Sequence, residues 1–158
     1  MNITEDYCSY EVAKLLKEKG FDEPCLTRYT REKVLDLPLK KEWYNMIESG
    51  VNIEEYREIK PYWIKRLFET INVEFTHYEK IDDECANFYC SNVKYLKDDF
   101  KGGGFRIKDY THIRFRYGYT KRTMLFELKG ITIGKGNTEW GAPEDKEVFI
   151  LKLGDRIE

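Results

Sequence analysis

The sequence predicts an α+β protein, with helical segments in its first third and a β-rich domain after them. Three observations carry that reading. Residues 110–117 alternate apolar and polar side chains with the period of a strand, and 123–133 reads as the return strand, kinked at Gly130. Residues 9–50 place apolar side chains at helical spacing, and Pro61 stands where the first position of a further helix is expected. With 158 residues, 41% hydrophobic and 35% charged, the chain has the size and composition of one folded domain and not of a disordered segment. Residues 1–57 are expected as a helical extension and residues 58–158 as the β-rich domain.

In chain order, Ser9 is placed to cap a helix over 9–19, in which Val12, Leu15 and Leu16 form one stripe before Gly20. Thr30 opens a weak helical segment that Pro38 interrupts. Leu39, Trp43, Met46 and Ile47 mark a second amphipathic helix ending at Ser49-Gly50, with Trp43 as a packing residue. Asn52 and Glu55 have the spacing of a capped turn. Pro61 begins a helix over 61–69, with Trp63, Ile64, Leu67 and Phe68 as its buried stripe, and a strand is expected over 72–80. Residues 81–108 lack a sustained period; a helix near 83–97 and a hinge at Gly102–Gly104 are expected. In 110–117, Ile113, Phe115 and Tyr117 take one face, and Tyr110, His112, Arg114 and Arg116 take the other. Gly118–Arg122 turns the chain into 123–133, and 148–153 is the closing strand.

Charge is unevenly spread. The net charge is −2, which argues against a general polyanion binder, yet residues 101–122 hold seven basic residues against Asp109 alone. Such a face suits an anionic ligand and equally suits a solvated strand surface. Cys8, Cys25, Cys85 and Cys90 lack zinc-site spacing and are read as reduced thiols of a cytoplasmic protein. No metal or cofactor is implied, and no apolar run is long enough to span a bilayer.

IKPYWIKRLF at 59–68 resembles the I-K-P strand and following helix that open ASCH domains, and YTHIRFRYGYTKRTMLFELKGITIGKGNTEWG at 110–141 is similar to their second half. The resemblance covers about two thirds of the chain and implies a PUA-like barrel of five or six strands. SYEVAKLLKEKGFDEPC at 9–25 resembles segments of phage-derived bacterial proteins.

Three functions follow as expectations. The resemblance implies an RNA- or nucleotide-binding module with a cleft at the barrel mouth. Its phosphate-contacting and stacking residues would be Lys60, Arg66, Tyr110, His112, Arg114, Arg116, Lys121, Arg122 and Trp140. Some ASCH-like proteins deacylate modified cytidine nucleosides, which implies a hydrolase using Lys60, Glu74, Thr76 and Glu127. At the matching place, however, this chain reads FETINVEFTHYEK and lacks the family's Gly and Lys. A ribonuclease working through His77, His112 and Lys60 is the other enzymatic alternative. A protein-binding accessory factor working through the N-terminal helices is the third.

Overall fold

The computed structural model describes residues 33–72 and 77–158. The helix expected over 9–19, the Thr30 cap, Cys8, Cys25, Glu74 and Thr76 lie outside the described residues. Residues 34–158 form one compact unit, an α+β fold built on a curled mixed sheet, a half-barrel. Its strands are β1 (Val34–Leu39), β2 (Glu54–Glu58), β6 (His112–Tyr117), β7 (Thr123–Gly134) and β8 (Val148–Arg156), in the order β1-β6-β7-β8-β2. A smaller sheet holds β3 (Phe68–Asn72) between β4 (His77–Lys80) and β5 (Phe105–Ile107). The helices are α1 (Lys41–Glu48), α2 (Pro61–Leu67), α3 (Asp83–Ser91) and α4 (Val93–Gly102).

The β6–β7 hairpin forms as the alternation predicts, pairing Arg114 with Leu125 and Arg116 with Thr123. Ile113 and Phe115 are buried, while His112 and Arg114 are half-buried and Arg116 is exposed.

Four expectations are corrected. Residues 34–39 are a strand, not a helix broken by Pro38: Leu35, Leu37 and Leu39 alternate into the core, and β1 runs parallel to β6. Pro38 has no N–H to donate, and β1 lies at the edge of the sheet, where that absence is tolerated. Residues 54–58 are the opposite edge strand, antiparallel to β8. Asn52 does not cap a helix there; its side-chain oxygen accepts from the Glu54 N–H at 2.8 Å and turns the chain into β2. The boundary expected at 57/58 therefore falls inside the compact unit. The expected strand over 72–80 is instead a hairpin of β3 and β4, beginning at Phe68, so α2 ends at Leu67. The helix near 83–97 is two helices, separated at Asn92.

Gly102–Gly104, expected as a hinge, forms the end of α4. Gly103 ends α4 in the left-handed conformation, φ 81°, and Gly104 packs so tightly on the Asp99 carboxylate that a Cβ would lie 2.5 Å from it. Asp99 in turn accepts from the Tyr89 hydroxyl. Asp82 caps α3 by accepting from the Cys85 N–H at 2.8 Å. Cys85 and Cys90 are free thiols, both held above the ordinary thiol pKa chiefly by burial.

Phe68 is the point where the two sheets share a core. Its ring meets Phe105 and Phe149 at 5.1 Å and Phe100 at 5.6 Å between centroids, joining β5, β8 and α4. Phe68→Ala should cost about 3–5 kcal/mol of unfolding free energy through lost burial and the cavity left behind. Chemical denaturation measures this; a loss below about 1 kcal/mol would show that the two sheets do not depend on that ring.

Candidate functional site

The end of β1, the start of α1, β2, the start of α2 and the 140–143 turn enclose an open cleft of about 590 Å³. All three tryptophans of the chain line it: Trp43 from α1, Trp63 from α2 and Trp140 from the turn. Lys40 and Lys60 stand at its rim, and Glu55 and Arg57 contribute its polar groups.

The polar groups arise from strand periodicity. Glu55 lies opposite Leu151 and Arg57 opposite Phe149, and both partners are fully buried. Residues directly opposite in an antiparallel pair share a face. Glu55 and Arg57 therefore occupy inward positions of the half-barrel that apolar side chains would ordinarily fill. Glu55 is 7% exposed. Arg57 Nη2 lies 3.0 Å from Glu55 Oε1, but Arg57 Nε and Nη2 are buried without an aligned hydrogen-bond acceptor. Burial raises the Glu55 pKa to about 7, and the attraction of Arg57 offsets only part of that rise. The Arg57 guanidinium lies over the Trp63 ring at 5.0 Å, and Arg66 lies over the same ring at 5.4 Å.

The turn is held in place by Tyr56. Its hydroxyl accepts from the Asn137 N–H at 3.0 Å and donates to Glu54 Oε2 at 2.7 Å. A Cβ on Gly136 would lie 2.5 Å from the Tyr56 ring, so only glycine lets the chain pass there. Asn137 then caps the short 3₁₀ helix Thr138–Trp140 by accepting from the Glu139 N–H at 2.9 Å. Gly141 follows at φ 99°, and a Cβ there would meet the Trp43 indole at 3.0 Å. These contacts set Trp140 and Trp43 on neighbouring walls of one cleft.

The expected site residues divide. Lys60 and Trp140 come together in the cleft, with α2 and the turn both lining it. Lys60 pairs with Glu58 at 2.6 Å, a bond between exposed side chains that a ligand displaces at little cost. Arg66, Tyr110 and Arg114 do not line the cleft, although Arg66 lies over the Trp63 ring; Arg66 and Arg114 gather around Asp36. Arg66 donates to the Asp36 carbonyl at 2.6 Å, Arg114 stands 3.6 Å from the Asp36 carboxylate, and the Tyr110 hydroxyl donates to the Arg66 carbonyl. Arg122 Nη2 donates to both carboxylate oxygens of Glu48, at 2.8 and 2.6 Å, which ties down its charge. His112 contacts the Thr111 hydroxyl and lies opposite Glu127, which is not among the cleft residues. Arg116 and Lys121 are exposed and are not among the cleft residues. Among the described residues no cluster of three His, Cys, Asp or Glu is arranged to hold a metal, and no helix is long and apolar enough to cross a membrane.

Glu55 and Arg57 are the site residues that the sequence reading missed, and Trp43 and Trp63 line the cleft instead of serving only as packing residues. EEYRE carries no hydrophobic alternation, so its inward face is legible only once β8 is paired to it. The chain matches no protein-family model, no curated protein and no solved structure.

Glu55 makes stability depend on pH. Its folded pKa, about 7, is above the ordinary 4.5, so between these values the folded state keeps a proton that the unfolded state has released. This contribution is complete below pH 4.5, falls as pH rises to about 7, and is level above that. At about 1.4 kcal/mol per pH unit, the loss is on the order of 3 kcal/mol. Denaturation of wild type and Glu55→Gln at several pH values should show their stability difference changing across this window. A difference independent of pH would contradict the burial of an ionisable Glu55.

Proposed function

We propose that the chain is an ASCH-like, PUA-like module that binds RNA or a nucleotide in the tryptophan cleft. The observation that carries this reading is the convergence of all three tryptophans on a buried Glu–Arg pair with lysines at the rim. An indole wall gives a base a stacking surface whatever its sequence. A carboxyl and a guanidinium are the groups that recognise base edges, the former accepting from an exocyclic amine and the latter donating to ring acceptors. Lys40 and Lys60 supply the phosphate contacts, which explains how a chain of net charge −2 binds a polyanion: the attraction is local. Lys60 and Trp63 both belong to the IKPYW stretch that carries the ASCH resemblance, and both line the cleft.

The β6 face contributes less in this reading than its sequence suggests, because Asp36 already engages Arg114. Lys60 has Glu58 as its partner, an arrangement for charge neutralisation and not for nucleophile activation. Binding without turnover is therefore the reading we adopt over the nucleoside hydrolase.

Titration with short single-stranded RNAs and mononucleotides, followed by tryptophan fluorescence, tests it. Trp140→Ala should weaken binding by about 1–3 kcal/mol, the value of one base–aromatic stack. Two lysine–phosphate contacts predict a slope of log affinity against log salt of about −1.4. Undiminished affinity in Trp140→Ala, or salt-independent binding, would overturn the reading.

A further inference from the structure

A second depression, of about 430 Å³, adjoins the tryptophan cleft. Ile59, Val93, Lys146 and Glu147 line it alone; Glu58, Lys60, Pro143 and Val148 line both depressions. Each is of the size that holds one small ligand. The wall between them includes the exposed Lys60–Glu58 pair, which is readily exchanged for another anion. Lys146 lines the second depression and Lys60 lines both, so two ammonium groups flank the boundary between them. Glu147 is neutralised by Lys97 at 2.7 Å, and Lys146 forms no ion pair among the described residues. The second depression therefore offers an apolar surface from Ile59, Val93 and Pro143, with the Lys146 ammonium beside it.

The geometry points to a ligand of two linked nucleotides. One base occupies the tryptophan cleft, the linking phosphodiester displaces Glu58 from Lys60, and the next nucleotide lies over Ile59 and Val93 beside Lys146. The ligand class is thus a single-stranded oligonucleotide and not a free nucleoside or mononucleotide. This rests on the nucleotide reading of the cleft and narrows it. No bond is made or broken.

The test compares, for each of the four bases, the 5′-monophosphate, the dinucleotide and the tetranucleotide, in ribose and deoxyribose forms, by tryptophan fluorescence. At least one dinucleotide should bind ten times more tightly than its monophosphate, with little further gain for the tetranucleotide. The ribose and deoxyribose series show whether the sugar hydroxyl adds to that gain. Lys146→Glu, a surface change, should remove the dinucleotide's advantage and leave monophosphate affinity within twofold. Equal affinity for monophosphate and dinucleotide, or equal losses for both in Lys146→Glu, would overturn the two-nucleotide site and leave the nucleotide reading standing. No binding by any ligand would overturn both.

Discussion

The cleft depends on a pair of charged residues placed where the half-barrel should be apolar. Glu55 and Arg57 point inward from β2, opposite Leu151 and Phe149 of β8. Holding a carboxyl and a guanidinium out of water is costly, and a buried ion pair rarely recovers that cost in full. The cost is visible in the raised pKa of Glu55 and in the unpartnered nitrogens of Arg57. An apolar pair at these two positions would pack against β8 without that penalty. The proposed nucleotide ligand would use the charge held there.

Everything around the pair keeps that floor open at one side and covered at the others. Trp63 lies beneath two guanidiniums, so α2 is tied to β2 through Arg57 and to β1 through the bond from Arg66 to Asp36. Tyr56 holds the 134–141 turn to β2, and Gly136 and Gly141 let the backbone approach Tyr56 and Trp43 closely. The turn that carries Trp140 is thus positioned by the same strand that carries the charged pair. Side chains at 54–58 serve alternately as anchor and as floor.

The parts legible in the sequence were those with a hydrophobic period. The β6–β7 hairpin, α1 and α2 follow from apolar spacing alone, and the turn at 134–141 from its glycines. β1 was legible in principle, because Leu35, Leu37 and Leu39 alternate, but Pro38 drew the reading toward an interrupted helix. β2 was not legible: EEYRE has polar residues on both faces, and its pairing with β8 is set nearly a hundred residues later in the chain. The cationic row of β6 was read correctly as outward-facing. The acidic partners were hidden, since Asp36 reaches Arg114 of β6 and Arg66 of α2, and Glu48 reaches Arg122 of the following turn, only through the folded arrangement. Of the candidate site, Lys60 and Trp140 were found from the sequence; the Glu55–Arg57 floor that joins them required the structure.

The claim that one cleft gathers all three tryptophans around the ligand is tested most directly by the indole N–H resonances, one for each tryptophan. Titration of isotopically labelled protein with a short single-stranded RNA, read by heteronuclear NMR, should move all three together along one binding curve. Backbone resonances of Glu55 and Arg57 should follow, while those of Arg116 and Lys121 stay in place. Shifts confined to the β6–β7 hairpin, with the three indole signals unmoved, would contradict the account.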